Sequence, residues 1–257
     1  MQITGRTVFI PGSTSGIGLA LALALRDRGN TVIVGGRRRE RLDQLVAEHP
    51  GLDAVEIDTT DPSNIRTAVA EVLRRHPDLD VLVAMAGIMQ AEDWHSPEGF
   101  LDSAELVVTT NVLGPIRLIG ELVEHLRSRP ESMIMTVSSG LAFTPLAATP
   151  SYNASKAAIH MLTESLRLQL ADTSVTLREL VPPAVQTPLM PGHETNETAM
   201  PLDEFVAEVM ALLKNAPDAP EIQVERVKPL RLSEVRGEYA RTVAMLNGSD
   251  PHATARS

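Results

Sequence analysis

The chain has 257 residues, 43% of them apolar, no cysteine and a formal net charge of -10. That length supports one full α/β core, and the missing cysteines exclude a disulfide framework, a thiol nucleophile and a thiolate metal site. The acidic balance argues against a nucleic-acid or anionic-membrane partner. No uninterrupted apolar run reaches the roughly 20 residues of a membrane span, and the N-terminus lacks the basic start and apolar stretch of a signal peptide, so a cytoplasmic protein is expected.

Thr7–Ile10 is a short apolar run of β-formers ended by Pro11-Gly12, and reads as a buried strand. A glycine-rich loop, Gly12 to Gly18, leads into a helical pattern from Leu19 to Arg28, stopped by Gly29. Strands follow over Thr31–Val34 and Ala54–Ile57, with a helix over Arg39–Glu48 between them. Asp61-Pro62 supplies a cap and a first-turn proline for a helix running to about Arg75. Val81–Ala84 is the fourth strand. Helices are expected over Ala104–Asn111 and Pro115–Ser128, a strand over Met133–Val137, and a long helix over Tyr152–Leu170. Val175–Leu180 is the sixth strand, Leu202–Leu213 a helix, Ile222–Val224 a last strand and Ser233–Leu246 a terminal helix. Strands and helices alternating at this spacing imply right-handed crossovers and a parallel sheet covered on both faces. No repeat or composition break divides the chain. A single domain over 1–248 is expected, with a frayed tail at 249–257.

Four features carry chemistry. Gly12-x-x-x-Gly16-x-Gly18 sits between a strand and a helix. There glycines allow a tight turn and let backbone N–H groups approach a pyrophosphate at the helix N-terminus. Asp58 ends the third strand, where it could accept from an adenine amino group; the competing reading, that an aspartate there caps the next helix, suits Asp61 better. Tyr152 and Lys156 stand four apart, one turn of helix, so an ammonium adjoins a phenol and should lower its ordinary pKa of about 10. Such a phenol can exchange a proton with a carbonyl or alcohol oxygen, although a tyrosine and a lysine at this spacing also arise by chance. Arg37, Arg38, Arg39 and Arg41 crowd the start of a helix, where the macrodipole disfavours cations, in an acidic chain. An anion that they must meet explains them better than a solvated face paired with Glu40 and Asp43.

These residues together resemble the short-chain dehydrogenase/reductase family over nearly the whole chain. The resemblance rests on the glycine loop, Ala86-Gly87, Asn111 with Gly114, Val137-Ser138-Ser139, and Tyr152/Lys156, with Ser139 thirteen positions before Tyr152. Pro182-Pro183-Ala184-Val185-Gln186-Thr187 and Gly237-Glu238-Tyr239 are similar to the DltE-type subgroup. The resemblance implies a single-domain Rossmann fold, a doubly wound parallel sheet of about seven strands. It implies that Tyr152 is the general acid/base and that Lys156 lowers its pKa and binds the nicotinamide ribose. Ser139 would hold the substrate oxygen and Asn111 orient a proton-relaying water. A hydroxyl at Ser139 suits this physically, since it lies just past a strand's C-terminal end. Ser138 or Ser139 could instead serve only the turn.

The implied cofactor site comprises Gly12, Ser13, Ser15, Gly16, Ile17, Gly18, Arg37, Arg38, Asp58, Ala86, Gly87, Tyr152, Lys156, Pro182, Val185 and Thr187. NADP(H) is expected over NAD(H). Gly36 stands where NAD-using relatives commonly carry a ribose-binding acid, and Arg37, then Arg38, would meet the 2′-phosphate. Reduction of a ketone or aldehyde is the expected reaction. Leu141, Phe143, Pro145, Leu146 and Val185–Met190 would line an apolar substrate site, and 188–200 would form a mobile lid. A non-catalytic redox-sensing regulator is the alternative, but it would need only the cofactor loop. A related epimerase or dehydratase is disfavoured because the chain leaves little room for a sugar-nucleotide domain. The seven histidines show no ligand spacing, and no metal is expected. Trp94 and His95 are either exposed loop residues or the edge of the substrate site. A homodimer or homotetramer through 115–128 and 152–170 is implied by resemblance.

Three departures from the family pattern stand out: Pro11 for threonine, Ala84-Met85 for two asparagines, and Pro183 for glycine. Pro11 and Met85 are expected to exchange a polar tie between two strands for an apolar contact.

Overall fold

The structure is a computed structural model that describes residues 3–96 and 98–248. The tail expected to fray, 249–257, lies outside the described residues. Strand β1 (Thr7–Pro11) leads to helix α1 (Gly16–Arg26), β2 (Thr31–Gly36), α2 (Arg39–Glu48), β3 (Leu52–Glu56), α3 (Pro62–Arg75) and β4 (Val81–Ala84). Then come α4 (Phe100–Val108), α5 (Gly114–Ser128), β5 (Ser132–Val137), α6 (Pro150–Gln169), β6 (Val175–Val181), α7 (Leu202–Asn215), β7 (Glu221–Gln223), α8 (Lys228–Arg231) and α9 (Tyr239–Gly248). The seven strands form one sheet in the order β3-β2-β1-β4-β5-β6-β7, and every pairing is parallel. The order reverses beside β1, so a crevice opens at the carboxyl ends of β1 and β4.

Alternation along the strands divides the core. Val8, Ile10, Val81 and Val83 face α1 and α7, while Phe9, Leu82, Ala84 and Ile134 face α3 and α5. Strands buried on both faces read as unbroken apolar runs, which is why β1 and β4 were visible without alternation. Asp61 caps α3 as expected, accepting from the Ser63 N–H at 2.8 Å, with Pro62 in the first turn.

Three elements differ from the expectations. The two helices expected at Ala104–Asn111 and Pro115–Ser128 are joined by a π-helical turn, Thr109–Leu113. The resulting stretch Phe100–Ser128 is long and apolar enough to cross a membrane by length and composition. Its residues Leu118, Ile119, Leu122 and Leu126 are buried in the core of this fold instead. The single terminal helix expected at Ser233–Leu246 is split into α8, a set of turns, and α9; Gly237 sits between them with φ +70, outside the helical region.

Pro11 has a visible consequence. Thr7 exchanges backbone and side-chain bonds with Asp80, so Phe9 and Pro11, alternating with it, also face β4. Pro11 has no N–H to give there, and the β1–β4 register covers only Val8↔Val81 and Phe9↔Leu82. The apolar contact found for Met85 is with α1: its Sδ lies 3.2 Å from the point a Cβ on Gly18 would occupy.

Candidate active site

The glycine loop is shaped by what it leaves out. A Cβ on Gly12 would stand 2.6 Å from Ala86 Cα, and one on Gly18 2.7 Å from the Gly12 carbonyl oxygen. Glycine at both places lets the loop lie against the end of β4 and lets α1 start directly beneath it. Gly16 adopts φ +53 and faces Thr187 across the crevice, with Thr187 Cβ 3.4 Å from a Cβ placed on it. Ser15 is the exposed N-cap of α1 and makes no side-chain capping bond, so its hydroxyl and the first N–H groups of the helix, at Gly16, Ile17 and Gly18, open outward. Ser13 behaves differently from its neighbours. It is fully buried, its hydroxyl donates to the Ile10 carbonyl and its N–H to the Gly35 carbonyl, so it locks the loop to the sheet rather than facing the crevice.

Gly36 at the end of β2 is tighter still: a Cβ there would lie 2.4 Å from Thr14 Cγ2. A side chain at this position would meet the Thr14 methyl, which would have to move aside. Beyond it, Arg39 pairs with Asp43 at 3.0 Å and Arg41 with Glu48 at 3.8 Å. Arg37 and Arg38 are exposed and have no acidic partner among the described residues. Asp58 lies two residues beyond β3 and is half-buried. Its Oδ1 accepts from the Thr60 N–H and hydroxyl in a local turn.

The residues expected to transfer protons meet in one place. Helix α6 begins at Pro150, which buries Tyr152 and, one turn on, Lys156. Ser139 follows β5; its Oγ accepts from the Leu141 N–H at 3.1 Å and lies near enough to the Tyr152 phenol to act on its pKa. Turn chemistry and contact with the phenol are thus both roles of one serine. Ser138 Oγ is buried without a partner. Asn111 sits in the π turn and clamps Ile88 with both ends of its amide, accepting from Ile88 N at 2.8 Å and donating to Ile88 O at 2.9 Å. The same Nδ2 donates to Ser155 Oγ at 3.1 Å, and Ser155 in turn donates to the Tyr152 carbonyl. Gly87 lies inside this group: a Cβ on it would be 3.3 Å from Asn111 Oδ1 and 3.6 Å from Lys156 Nζ. The amide of Asn111 is thus bonded through both its oxygen and its nitrogen.

The electrostatics correct one expectation. Burial pushes the Tyr152 phenol up to about 12, against the pull of the Ser139 hydrogen bond. Burial also pushes Lys156 down to about 8, with Glu179 opposing that shift. Lys156 donates to the Val137 carbonyl at 2.8 Å, and its Nζ stands 5.5 Å from the centroid of the Tyr152 ring. The ammonium faces the ring and the strand rather than the hydroxyl, so desolvation outweighs its effect on the phenol.

Around the phenol is a small apolar cluster of Tyr152, Met89 and Met190, with Leu141 and Leu146 against it. Leu141, Leu146 and Met190 were expected there. Phe143 and Val185 pack on the main core instead, and Phe143 is wedged between His160 and Arg231. Met89 was not anticipated, and neither was Glu92. This buried carboxylate accepts from Ser151 N and Oγ (3.3 and 2.8 Å), Trp94 Nε1 (3.0 Å) and Ser103 Oγ (3.1 Å). It ties the loop after β4 to the residue before Tyr152. Trp94 stacks on Phe100 and His95 is exposed, which places both on the outer side of that loop. The segment 188–200 is pinned at its base by the Val185↔Met200 bridge, while Pro188, Leu189 and most of 191–198 are exposed. Pro182 accepts from the Gly140 N–H.

Comparison with known proteins agrees with this arrangement. The family model described as short chain dehydrogenase matches residues 6–198. The chain is 36% identical to the uncharacterized oxidoreductase DltE of Bacillus subtilis, over 96% of this chain and 98% of that one. It is 29% identical to the 3-oxoacyl-[acyl-carrier-protein] reductase FabG of Thermotoga maritima, over 83% of this chain and 92% of that one. Among solved structures, a short chain dehydrogenase from Burkholderia cenocepacia in complex with NADP superposes with a TM-score of 0.80 at 25% identity, covering 95% of this chain and 99% of that one.

Proposed function

The chain belongs to the short-chain dehydrogenase/reductase family, and from that premise we propose that it reduces a ketone or aldehyde with NADPH, using Tyr152 as the general acid. The observation that carries this reading is the burial of Asn111, Ser139, Tyr152, Ser155 and Lys156 at one place beside Gly87, with Asn111, Ser155 and the Tyr152 backbone joined by hydrogen bonds. A dinucleotide fits the adjoining cradle on the chain's own geometry: glycines where a Cβ would collide, a free Ser15 hydroxyl and open N–H groups at the start of α1. The nicotinamide cofactor supplies the hydride.

The protein's part is position and the proton. A carbonyl oxygen set among Ser139 and Tyr152 receives one hydrogen bond from the serine hydroxyl and the proton from the phenol. A phenol held up at about 12 keeps its proton at neutral pH, which suits donation and hence carbonyl reduction. The phenolate left behind is stabilised by the Lys156 ammonium over its ring. Reprotonation would run past Lys156 towards Asn111. Met89, Leu141, Leu146 and Met190 give the substrate an apolar surface and exclude water, with 188–200 as the cover.

Three observations support the choice of NADP(H). Gly36 offers no acid to the ribose and a side chain there would crowd Thr14, Arg37 and Arg38 are uncommitted, and the two following arginines are already paired. A guanidinium pair suits a 2′-phosphate. Asp58 keeps one carboxylate oxygen for an adenine amino group. A homodimer or tetramer through α5 and α6 is supported by exposed Leu113, Ile116, Met161 and Leu168 on those helices and the turn before them.

Steady-state oxidation of NADPH and of NADH with a panel of ketones and aldehydes tests the reading. NADPH should give the higher kcat/KM, and Arg37→Ala should erode that preference by about tenfold, one contact's worth. No turnover across the panel, or a preference for NADH, would refute the corresponding part.

A further inference from the structure

Facing α6, the helix that carries Lys156, lies a carboxylate that the proton-transfer scheme leaves unused. Glu179 is fully buried in the middle of β6, paired in register with Thr136. It shares a sheet face with Val175 and Leu177, both in the apolar core, where another aliphatic side chain would be the ordinary choice. Its Oε2 bonds His160 Nδ1 at 2.8 Å, and its Oε1 has no partner. A half-satisfied buried carboxylate is costly and adds nothing to packing. His160 stands one helical turn beyond Lys156 on α6, and the register partner of Glu179, Thr136, bonds Thr163 of the same helix, so Glu179 faces the helix that carries Lys156.

We propose, resting on the catalytic reading of Lys156 above, that Glu179 is a positioning residue whose buried charge keeps Lys156 an ammonium in its desolvated site. His160 is its clamp on the solvent side. Glu179 is the charged group whose field acts on Lys156 and opposes the effect of burial. The other charges packed around Glu179 have hydrogen-bonded partners of their own, although Arg231 also feels Glu179 and Glu164. From α6, Glu164 pairs with Arg167; from α8, Arg231 forms a two-pronged pair with Glu221 of β7 at 2.7 and 2.6 Å. His160 is edge-on to Phe143, whose ring carries Arg231, so the imidazole is held in place by packing as well as by its bond to the carboxylate. Glu179 thereby keeps one carboxylate oxygen, Oε1, without a hydrogen-bond partner.

The chain has only three lysines, Lys156, Lys214 and Lys228, so the lysine side chains can be followed individually by lysine-selective carbon-13 labelling and NMR. Lys156 should titrate near 8 in the native protein. In Glu179→Gln its midpoint should fall by roughly half to one pH unit, and the alkaline limb of the kcat/KM profile should move the same way. Glu179→Met, which replaces the carboxylate with an apolar chain of similar length, serves if the glutamine variant does not fold. An unmoved Lys156 midpoint in a folded variant overturns the proposal, as does failure of both variants to fold, which would assign Glu179 to the scaffold. The titration does not depend on turnover. A Lys156→Met variant that keeps full activity would instead refute the catalytic reading while leaving the Lys156–Glu179 coupling intact.

Discussion

The two sides of the crevice are built on opposite principles. On the β1–β2 side the site exists because side chains are missing. A Cβ built on Gly12, Gly18 or Gly36 would stand 2.7 Å or less from a neighbouring atom. On the β4–β6 side it exists because polar side chains have been forced inside: Asn111, Ser139, Ser155, Lys156 and Glu179 are all buried. The first side tolerates no addition and the second no subtraction. A nucleotide needs backbone N–H groups brought close, whereas a proton needs named atoms at fixed places.

The sharpest subtraction is Tyr152→Phe. Removing the hydroxyl alone should leave nucleotide affinity in place and lower turnover by roughly 10²- to 10⁴-fold, the usual worth of a positioned acid. Single-turnover kinetics with a confirmed substrate checks this, and activity within a few-fold of the native protein would break the contrast. Next in size is an addition, Gly36→Asp. Crowding against Thr14 Cγ2 should cost about 1–3 kcal/mol of stability. Thr14→Ser removes that methyl, so the double variant should lose less than the sum of the singles in urea denaturation. Additive losses would mean that Thr14 is not the obstacle. The smallest effect is expected from a buried polar pair outside the site. Thr136 Oγ1 and Thr163 Oγ1 meet at 2.6 Å, but the Thr163 hydroxyl also reaches the Ile159 carbonyl at 2.7 Å. Thr136→Val leaves that second bond intact and should cost no more than about 1 kcal/mol. A larger loss would show that the intolerance to subtraction extends beyond the reacting groups.

The same contrast explains what the sequence made legible. Glycine loops announce themselves by spacing, and Asp61-Pro62 announces its helix, because both act within a few residues. Tyr152 and Lys156 were visible as an i, i+4 pair for the same reason. Ser139 and Asn111 entered through resemblance, since nothing local ties them to Tyr152. Met89, Glu92 and Glu179 carried no local signal at all: each acquires its role from partners far along the chain, at Met190, Ser151 and His160. Ser13 shows the converse limit. It lies in the right motif, yet its hydroxyl is committed to Ile10. The lowered phenol pKa failed as an expectation because spacing reports nearness of charge but not desolvation, and here burial dominates.

The π turn at Thr109–Leu113 has a consequence of a different kind. Each residue advances an α-helix by about 100°, so the extra residue in a π turn resets the rotational phase between α4 and α5. The two halves can then obey separate demands: α4 packs along α6, while α5 turns Leu118 and Leu122 to the sheet and leaves Asn111 aimed at Ile88. In this stretch the number of residues carries information that their chemistry does not. Substitutions here act one at a time, but loss of a single codon would rotate every downstream side chain together, taking the core face of α5 away from the sheet in one step.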